Sequence, residues 1–388
     1  MSGPAAAPGA GPKERRLGVS LGRIAGIPVI LTWPWFLVTV IIAVFFGPRV
    51  EANFPGIGIG AYVVALGYAL LLALSVLIHE FAHALSARAF GWPTRRIVLN
   101  LWGGHTQFEH FSSSPGRSLA VALAGPASNF LLALVSWGII LVSGQGTVVD
   151  LLANTLFWAN LILAVFNVLP GLPLDGGRIV ESAVWKATGS QDRGTIAAGW
   201  TGRIIVLLFV GLVLGVPLLS GRAPQFTLVI ISVLVATFMW AGAGEAIRTA
   251  HIRLRIPGLT AGMLKQPAVG LPSASTVSEL RRLAAGRPDL AAVLLDAEGR
   301  PEFVVDFGAL ADVPEEAAGT TRASTSVRPL ASTAGIDETA SGTELLKLLD
   351  SSDGFEFPVT NAQGTVTGVL HRLAVIDALT GKRTPGSA

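Results

Sequence analysis

The chain has 388 residues, of which 51% are hydrophobic and only 14% charged, with a mean hydropathy of +0.60 and a formal net charge of +3. Ordinary soluble domains carry about a quarter charged residues, so this balance excludes a purely soluble protein and leaves room for a membrane region plus a second domain. Cysteine is absent, which excludes disulfides and restricts any zinc ligands to His, Asp and Glu.

The first dozen residues, MSGPAAAPGAGP, have the composition of a flexible tail, assigned to residues 1–19. Six uncharged apolar segments follow, at 24–47, 60–78, 118–149, 151–174, 204–221 and 223–244. Each reaches the roughly 18 to 20 residues that cross hydrocarbon. The first is long and lacks a small-residue cleavage site, unlike a cleaved signal peptide. Between the second and third, Arg96-Ile97-Val98-Leu99-Asn100-Leu101-Trp102-Gly103-Gly104 alternates loosely and ends in turn residues, which predicts a short hairpin. His105, Glu109 and His110 follow in that loop, but a spacing of five in a glycine-started loop is poor warrant for a second metal site. The third segment is too long for one straight crossing, so a loop is expected near Ser143 to Val149. Gly211, Gly215 and Pro217 make the fifth the least regular.

Lys13, Arg15, Arg16 and Arg23 precede the first segment, and Arg88, Arg95, Arg96 and Arg117 lie between the second and third. Arg178, Lys186, Arg193 and Arg203 lie between the fourth and fifth, and Arg248, Arg253 and Arg255 follow the sixth. The intervening loops carry little more than Arg49 and Arg222. The positive-inside rule then places both termini in the cytoplasm of a multi-pass cell-membrane protein. Residues 1–255 hold 17 basic and 9 acidic residues and all nine Trp, whereas residues 256–388 hold 11 basic and 16 acidic. This reads as a membrane domain over 20–255 followed by a cytoplasmic domain over 256–388. The basic residues are accounted for by topology, so nucleic-acid binding is not expected.

The chemistry-bearing motif is His79-Glu80-Phe81-Ala82-His83, at the end of the second segment. In a helix, residues four apart share a face, so both imidazoles reach one metal while Glu80 flanks it as a candidate general base. A catalytic zinc takes a third protein ligand and keeps a position for water. Asp175, in Asn167-Val168-Leu169-Pro170-Gly171-Leu172-Pro173-Leu174-Asp175-Gly176-Gly177, is the best candidate. It is the only acidic residue between Asp150 and Glu181, it lies at the same expected depth as the two His, and ionisable residues at membrane depth are functional by default. The surrounding Pro and Gly imply broken backbone, tolerated at that depth only where it is buried in protein or lines a watery cavity.

HExxH in one span together with the distant N-x-x-P-x-x-P-L-D-G-G resembles the site-2 protease family of intramembrane zinc metalloproteases. The resemblance covers roughly residues 20–250. It extends to Ala124-Gly125-Pro126-Ala127-Ser128-Asn129, which is similar to the family's small-residue motif in the third span. It implies His79, His83 and Asp175 as ligands of one zinc per chain and Glu80 as catalytic base and acid. It also implies that an element equivalent to the hairpin holds an extended substrate by strand addition. Asn129 has two readings: a donor to the developing oxyanion or substrate backbone, or an interhelical hydrogen bond packed against Gly125 and Ala124. Asn160 and Asn167, seven apart, read as polar contacts within the bundle, with Asn167 also in the family-like motif.

Beyond residue 256, two similar halves are expected. The first runs through Ser275 to Leu280, the strand Ala291 to Leu295 and the turn at Asp296 to Gly299; the second through the helix Thr339 to Leu349, the strand Glu356 to Thr360 and the strand Val366 to Leu370. The pattern resembles a pair of cystathionine β-synthase (CBS) domains, which implies regulation by an adenine nucleotide or another ligand, or homodimerisation through the pair. The ribose-binding Gly-h-h-Ser/Thr-x-x-Asp stretch of that family reads Gly368-Val369-Leu370-His371-Arg372-Leu373-Ala374 here, so both polar contacts are missing. The fold class expected is therefore a polytopic helical membrane protein followed by a soluble α/β CBS pair. Two functions are weighed: cleavage of a membrane-anchored protein within or near its transmembrane helix, and a CBS-regulated metal-ion transporter or channel. Glu80 discriminates them, because a transport site has no use for a non-ligating carboxylate beside the metal.

Overall fold

The computed structural model describes residues 18–100, 103–108 and 114–381. The chain divides into two compact units, with the boundary between Arg248 and Thr249. The tail expected at residues 1–19 lies outside the described residues except for its last two, which begin a strand.

The first unit opens on a hairpin of β1 (Gly18–Ile24) and β2 (Ile27–Thr32), closed by a turn in which Ala25 and Gly26 have φ of 48° and 84°. The apolar segment at 24–47 is thus not one span. Ile27 and Val29 are buried with period two, as on a strand face, and the helix α1 (Pro34–Asn53) starts only at Pro34, a residue suited to the first helical turn. Then come α2 (Gly60–Ala89), β3 (Thr94–Asn100), β4 (Gly103–Phe108), α3 (Pro115–Val142) and α4 (Val148–Val168). The unit continues with α5 (Gly177–Thr188), α6 (Gln191–Val210), a π-helical turn at Gly211–Gly215, α7 (Val216–Leu219) and α8 (Phe226–Arg255), which runs across the unit boundary.

Among the described residues, six helical stretches are long and apolar enough to cross a bilayer: Pro34–Asn53, Gly60–Ala89, Pro115–Val142, Val148–Val168, Gln191–Leu219 and Phe226–Gly258. Several run past the uncharged limits, since a helix need not end at its first ionisable residue. The fourth instead stops at Val168, short of 174, where Pro170 and Pro173 cannot continue it. The break expected near Ser143 to Val149 separates α3 from α4.

Helix packing here rests on small residues. Ala61, Ala65 and Ala69 are buried along one face of α2, where Phe46 and Val50 of α1 seat against the first two. Phe45, Leu70, Leu131, Val135 and Leu207 point outward and are exposed, as lipid-facing positions are. The strands form one sheet in the order β1-β2-β3-β4, with β2 and β3 parallel and β3 and β4 making the expected hairpin, whose Leu101 and Trp102 lie outside the described residues. Ile27, Val29, Ile97 and Leu99 of this sheet close over Ala84, so the sheet is fixed to α2 one residue from the second histidine.

The second unit continues through α9 (Ala261–Leu264), β5 (Gln266–Pro272), α10 (Val277–Ala284), β6 (Ala291–Leu295), β7 (Pro301–Val305), α11 (Phe307–Leu310), α12 (Glu315–Ala318) and β8 (Val327–Pro329). It ends with β9 (Ile336–Asp337), α13 (Gly342–Asp350), β10 (Glu356–Thr360), β11 (Val366–His371) and α14 (Arg372–Thr380). The order β5-α10-β6-β7 recurs as β9-α13-β10-β11, the twofold repeat that the sequence predicts. The halves join through antiparallel β5 and β11 in a seven-stranded sheet ordered β8-β7-β6-β5-β11-β10-β9. Each half has an apolar core, around Leu280 and Leu294 in the first and Leu345, Phe357 and Leu370 in the second.

Candidate metal centre

Two elements converge on one point. His79 and His83 project from the same face of α2, and Asp175 comes from the irregular segment after α4. Asp175 Oδ2 lies 3.0 Å from His79 Nε2 and 3.2 Å from His83 Nε2, and the two Nε2 atoms are 3.2 Å apart. His83 Nδ1 donates to the carbonyl of Val121 on α3 at 2.7 Å, which leaves Nε2 as the lone-pair nitrogen. Lone pairs and a carboxylate oxygen thus face one another with no donor for the buried Asp175 Oδ2, an arrangement that calls for a cation at its centre. Tetrahedral zinc with bonds of about 2.0 to 2.1 Å sets its ligand atoms about 3.3 Å apart, so spacing and donor chemistry both fit that ion.

Local sequence explains why the point is available. A Cβ at Gly125 of α3 would stand 2.3 Å from His83 Nε2 and 2.7 Å from His79 Cε1, so the small-residue motif is what lets α3 pass the imidazoles. The Pro-Gly segment carrying Asp175 is gripped in the same way. Leu172 N–H donates to the Ala198 carbonyl at 3.1 Å, a Cβ at Gly202 of α6 would overlap the Leu172 carbonyl, and one at Gly242 of α8 would come 2.8 Å from Pro173. Gly176 N–H ties the segment back to the Asn167 carbonyl at 2.6 Å.

Glu80 is buried beside the cluster and is not part of it. Its carboxylate accepts a hydrogen bond from the Thr106 hydroxyl at 2.8 Å, and a Cβ at Gly104 would lie 2.4 Å from its Cγ. Both partners stand on β4, two residues apart and therefore on one face. Neither Thr106 nor Val121 carries a sequence signal of its own, and Thr106 lies just past the run from Arg96 to Gly104 that predicts the hairpin.

Two cavities adjoin the cluster. One of about 410 Å³ is walled mainly by apolar residues of α4 and α8, including Ile162, Phe166 and Phe238, and reaches His79, Glu80, Asn129, Asn167 and Asp175. The other, of about 260 Å³, is more polar and reaches Glu80, His83, His105, Thr106, Arg178 and Asp175. Asn129 lines the larger one, its Oδ1 buried without a donor. Asn160 instead donates to Ser75 of α2 at 3.2 Å, which joins α4 to α2, while Asn167 faces the larger cavity; the two do not act as one face. His105 contacts Asn100 and Gln107, and His110 and Glu109 lie outside the described residues.

Comparison with known proteins adds the following. The profile of Peptidase family M50 matches residues 67–153 and 145–211. A Synechocystis protein named as a putative zinc metalloprotease, sll0528, is 34% identical over 251 residues, 63% of this chain and 63% of its own length. Rip3 of Mycobacterium tuberculosis, named likewise, is 29% identical over 330 residues, 81% of each chain. The solved site-2 protease of Methanocaldococcus jannaschii is similar at 25% identity and a TM-score of 0.40, covering 59% of this chain and 95% of that one.

Proposed function

We propose that the chain, which the Peptidase family M50 profile matches over residues 67–153 and 145–211, is an intramembrane zinc endopeptidase of the site-2 protease family, cutting a membrane-anchored regulatory protein in or near its transmembrane segment. The observation that carries this reading is the three-donor cluster of His79, His83 and Asp175 with a non-ligating Glu80 beside it, at the wall of a largely apolar cavity. These three residues would hold one zinc per chain. When bound, zinc polarises a substrate carbonyl and lowers the pKa of a water toward about 7.

The chain's own groups do the rest. Glu80 takes the proton of the attacking water and returns it to the leaving amine, and the Thr106 hydroxyl holds its carboxylate in place. Asn129, in the wall of the same cavity, offers its amide to the substrate backbone or the developing oxyanion. A substrate helix must unwind, because its carbonyls are otherwise bonded within the helix. Strand β4 pairs with β3 on one side only, and its Gly103 and Gly104 line the larger cavity, so the unwound segment adds to the β4 edge beside Glu80.

In this reading residues 20–255 form the protease domain of a multi-pass cell-membrane protein with cytoplasmic termini. Residues 256–388 form the regulatory CBS pair, which answers a ligand such as an adenine nucleotide or mediates a homodimer. In place of a ribose-binding hydroxyl, His371 contacts Gln266 at 2.8 Å, so a nucleotide would have to be held by other contacts. The test is Glu80→Gln in the full chain. It should keep about one zinc per chain and lose cleavage of a membrane-helix substrate by about 10²- to 10⁴-fold, the usual share of a general base. Retained cleavage would overturn the mechanism, and zinc binding without any cleavage by the unaltered chain would favour metal transport.

A further inference from the structure

Arg203 is a cation to which the described residues supply no anion. It stands on α6 where the polar first half of the helix gives way to the apolar run from Ile204, and Trp240 stands on α8 just before Glu245 and Arg248 end the apolar run there. The guanidinium carbon packs over two indoles, 4.8 Å from the ring centre of Trp200 and 4.9 Å from that of Trp240. Gly244 lets it lie against α8, since a Cβ there would stand 3.2 Å from Nη2. Among the described residues no carboxylate is within ion-pair distance. Glu245, the nearest in sequence to this contact, faces Arg248 at 3.9 Å, and Arg203 Nε is buried with no acceptor.

A guanidinium held against aromatic rings still has N–H donors in its plane, which suit the planar, forked recognition of a phosphate. A charge on a membrane helix is costly without a counter-ion, and one at the apolar boundary finds it in the headgroup layer. Trp200 and Trp240 are 52% and 43% exposed, as tryptophans at the water–hydrocarbon boundary are, so the site opens outward where headgroups lie. We propose that Trp200, Arg203 and Trp240 bind the phosphate of an anionic phospholipid between α6 and α8. The site adjoins Gly202 and Gly242, which grip the segment carrying Asp175, so a bound headgroup would steady that grip.

The experiment uses the full chain in nanodiscs of phosphatidylcholine, with or without phosphatidylglycerol, or with inorganic phosphate added to phosphatidylcholine alone. Retained lipid is counted by native mass spectrometry and thermal unfolding is followed in parallel. The unaltered chain should retain phosphatidylglycerol and gain thermal stability from it. Arg203→Ala should hold that lipid about fivefold more weakly, the worth of one basic residue at an anionic surface, and lose the gain. Arg203→Lys, a control for folding, should keep part of both. Equal stabilisation of the unaltered chain and Arg203→Ala by phosphatidylglycerol would overturn the proposal. So would an equal loss of stability by Arg203→Ala in both lipids, which would make the clamp a brace only. Full replacement of the lipid effect by inorganic phosphate would assign the site to the free ion.

Discussion

The two units solve the burial problem in opposite ways. In the second, the deeply buried side chains are large and aliphatic, such as Leu280, Leu294, Leu345 and Leu370, as expected where water drives apolar groups together. In the first, the helices bury alanine and glycine and turn their large apolar residues outward, while the buried interior holds His79, Glu80, His83, Asn129 and Asn160. Lipid offers no hydrophobic reward for association, so close backbone approach and polar contacts hold the bundle. The lesson is that a buried polar residue in the first unit is chemistry or an interhelical tie, and a glycine there is clearance for it.

That contrast is most easily broken at Gly125. If the glycine is clearance for the metal ligands, Gly125→Ala must displace the imidazoles, since its Cβ would be built 2.3 Å from His83 Nε2. Zinc per chain should fall well below one, and cleavage should fall by at least about 10²-fold, the cost of an ångström-scale misplacement in an active site. Helical content by circular dichroism should stay. Full zinc retention would show that α3 yields and that the glycine serves packing alone.

Leu294→Ala probes the other side of the comparison. The leucine is fully buried in the first-half core of the second unit, and its truncation there should cost about 2 to 5 kcal/mol. Limited proteolysis of the full chain should then cut within residues 249–388 while zinc content is unchanged. Loss of zinc in parallel would mean that the two ways of burying residues are not independent.

What could be read from the sequence follows the same division. His79 and His83 were legible because helical spacing alone puts them on one face, Glu80 because it flanks that face, and Asp175 because an isolated acidic residue at membrane depth stands out. The hairpin from Arg96 to Gly104 and the internal repeat of the second unit were legible from period-two alternation and self-similarity. Residues 24–32 were misread because hydropathy sums side chains without regard to direction; the alternation of Ile27 and Val29 held the correction. The His83 contact to the Val121 carbonyl was not legible, because any residue supplies a carbonyl and only the helix crossing selects this one. The clearances at Gly104 and Gly125 are likewise properties of the neighbouring element.

The smallest effect is expected at the surface of the second unit, where water screens what the bilayer would not. Lys265 Nζ lies 2.7 Å from Glu338 Oε2, and the Thr367 hydroxyl adds a contact at 3.2 Å. The hydrogen bond from Lys265, and then its charge, hold the Glu338 carboxyl below its usual value. A carboxyl depressed in the folded state stabilises it above the unfolded-state value, about 4.3 for a free glutamate, and the contribution disappears as pH falls through the lower folded value. Glu338→Gln should therefore leave the acid limb of the unit's stability curve shallower and lower its melting temperature only slightly at neutral pH. The check is thermal unfolding of the full chain against pH, read from the transition of residues 249–388. A loss at neutral pH as large as that of Leu294→Ala would mean that an exposed ion pair rivals the aliphatic core, and the contrast between the units would have to be drawn on other grounds.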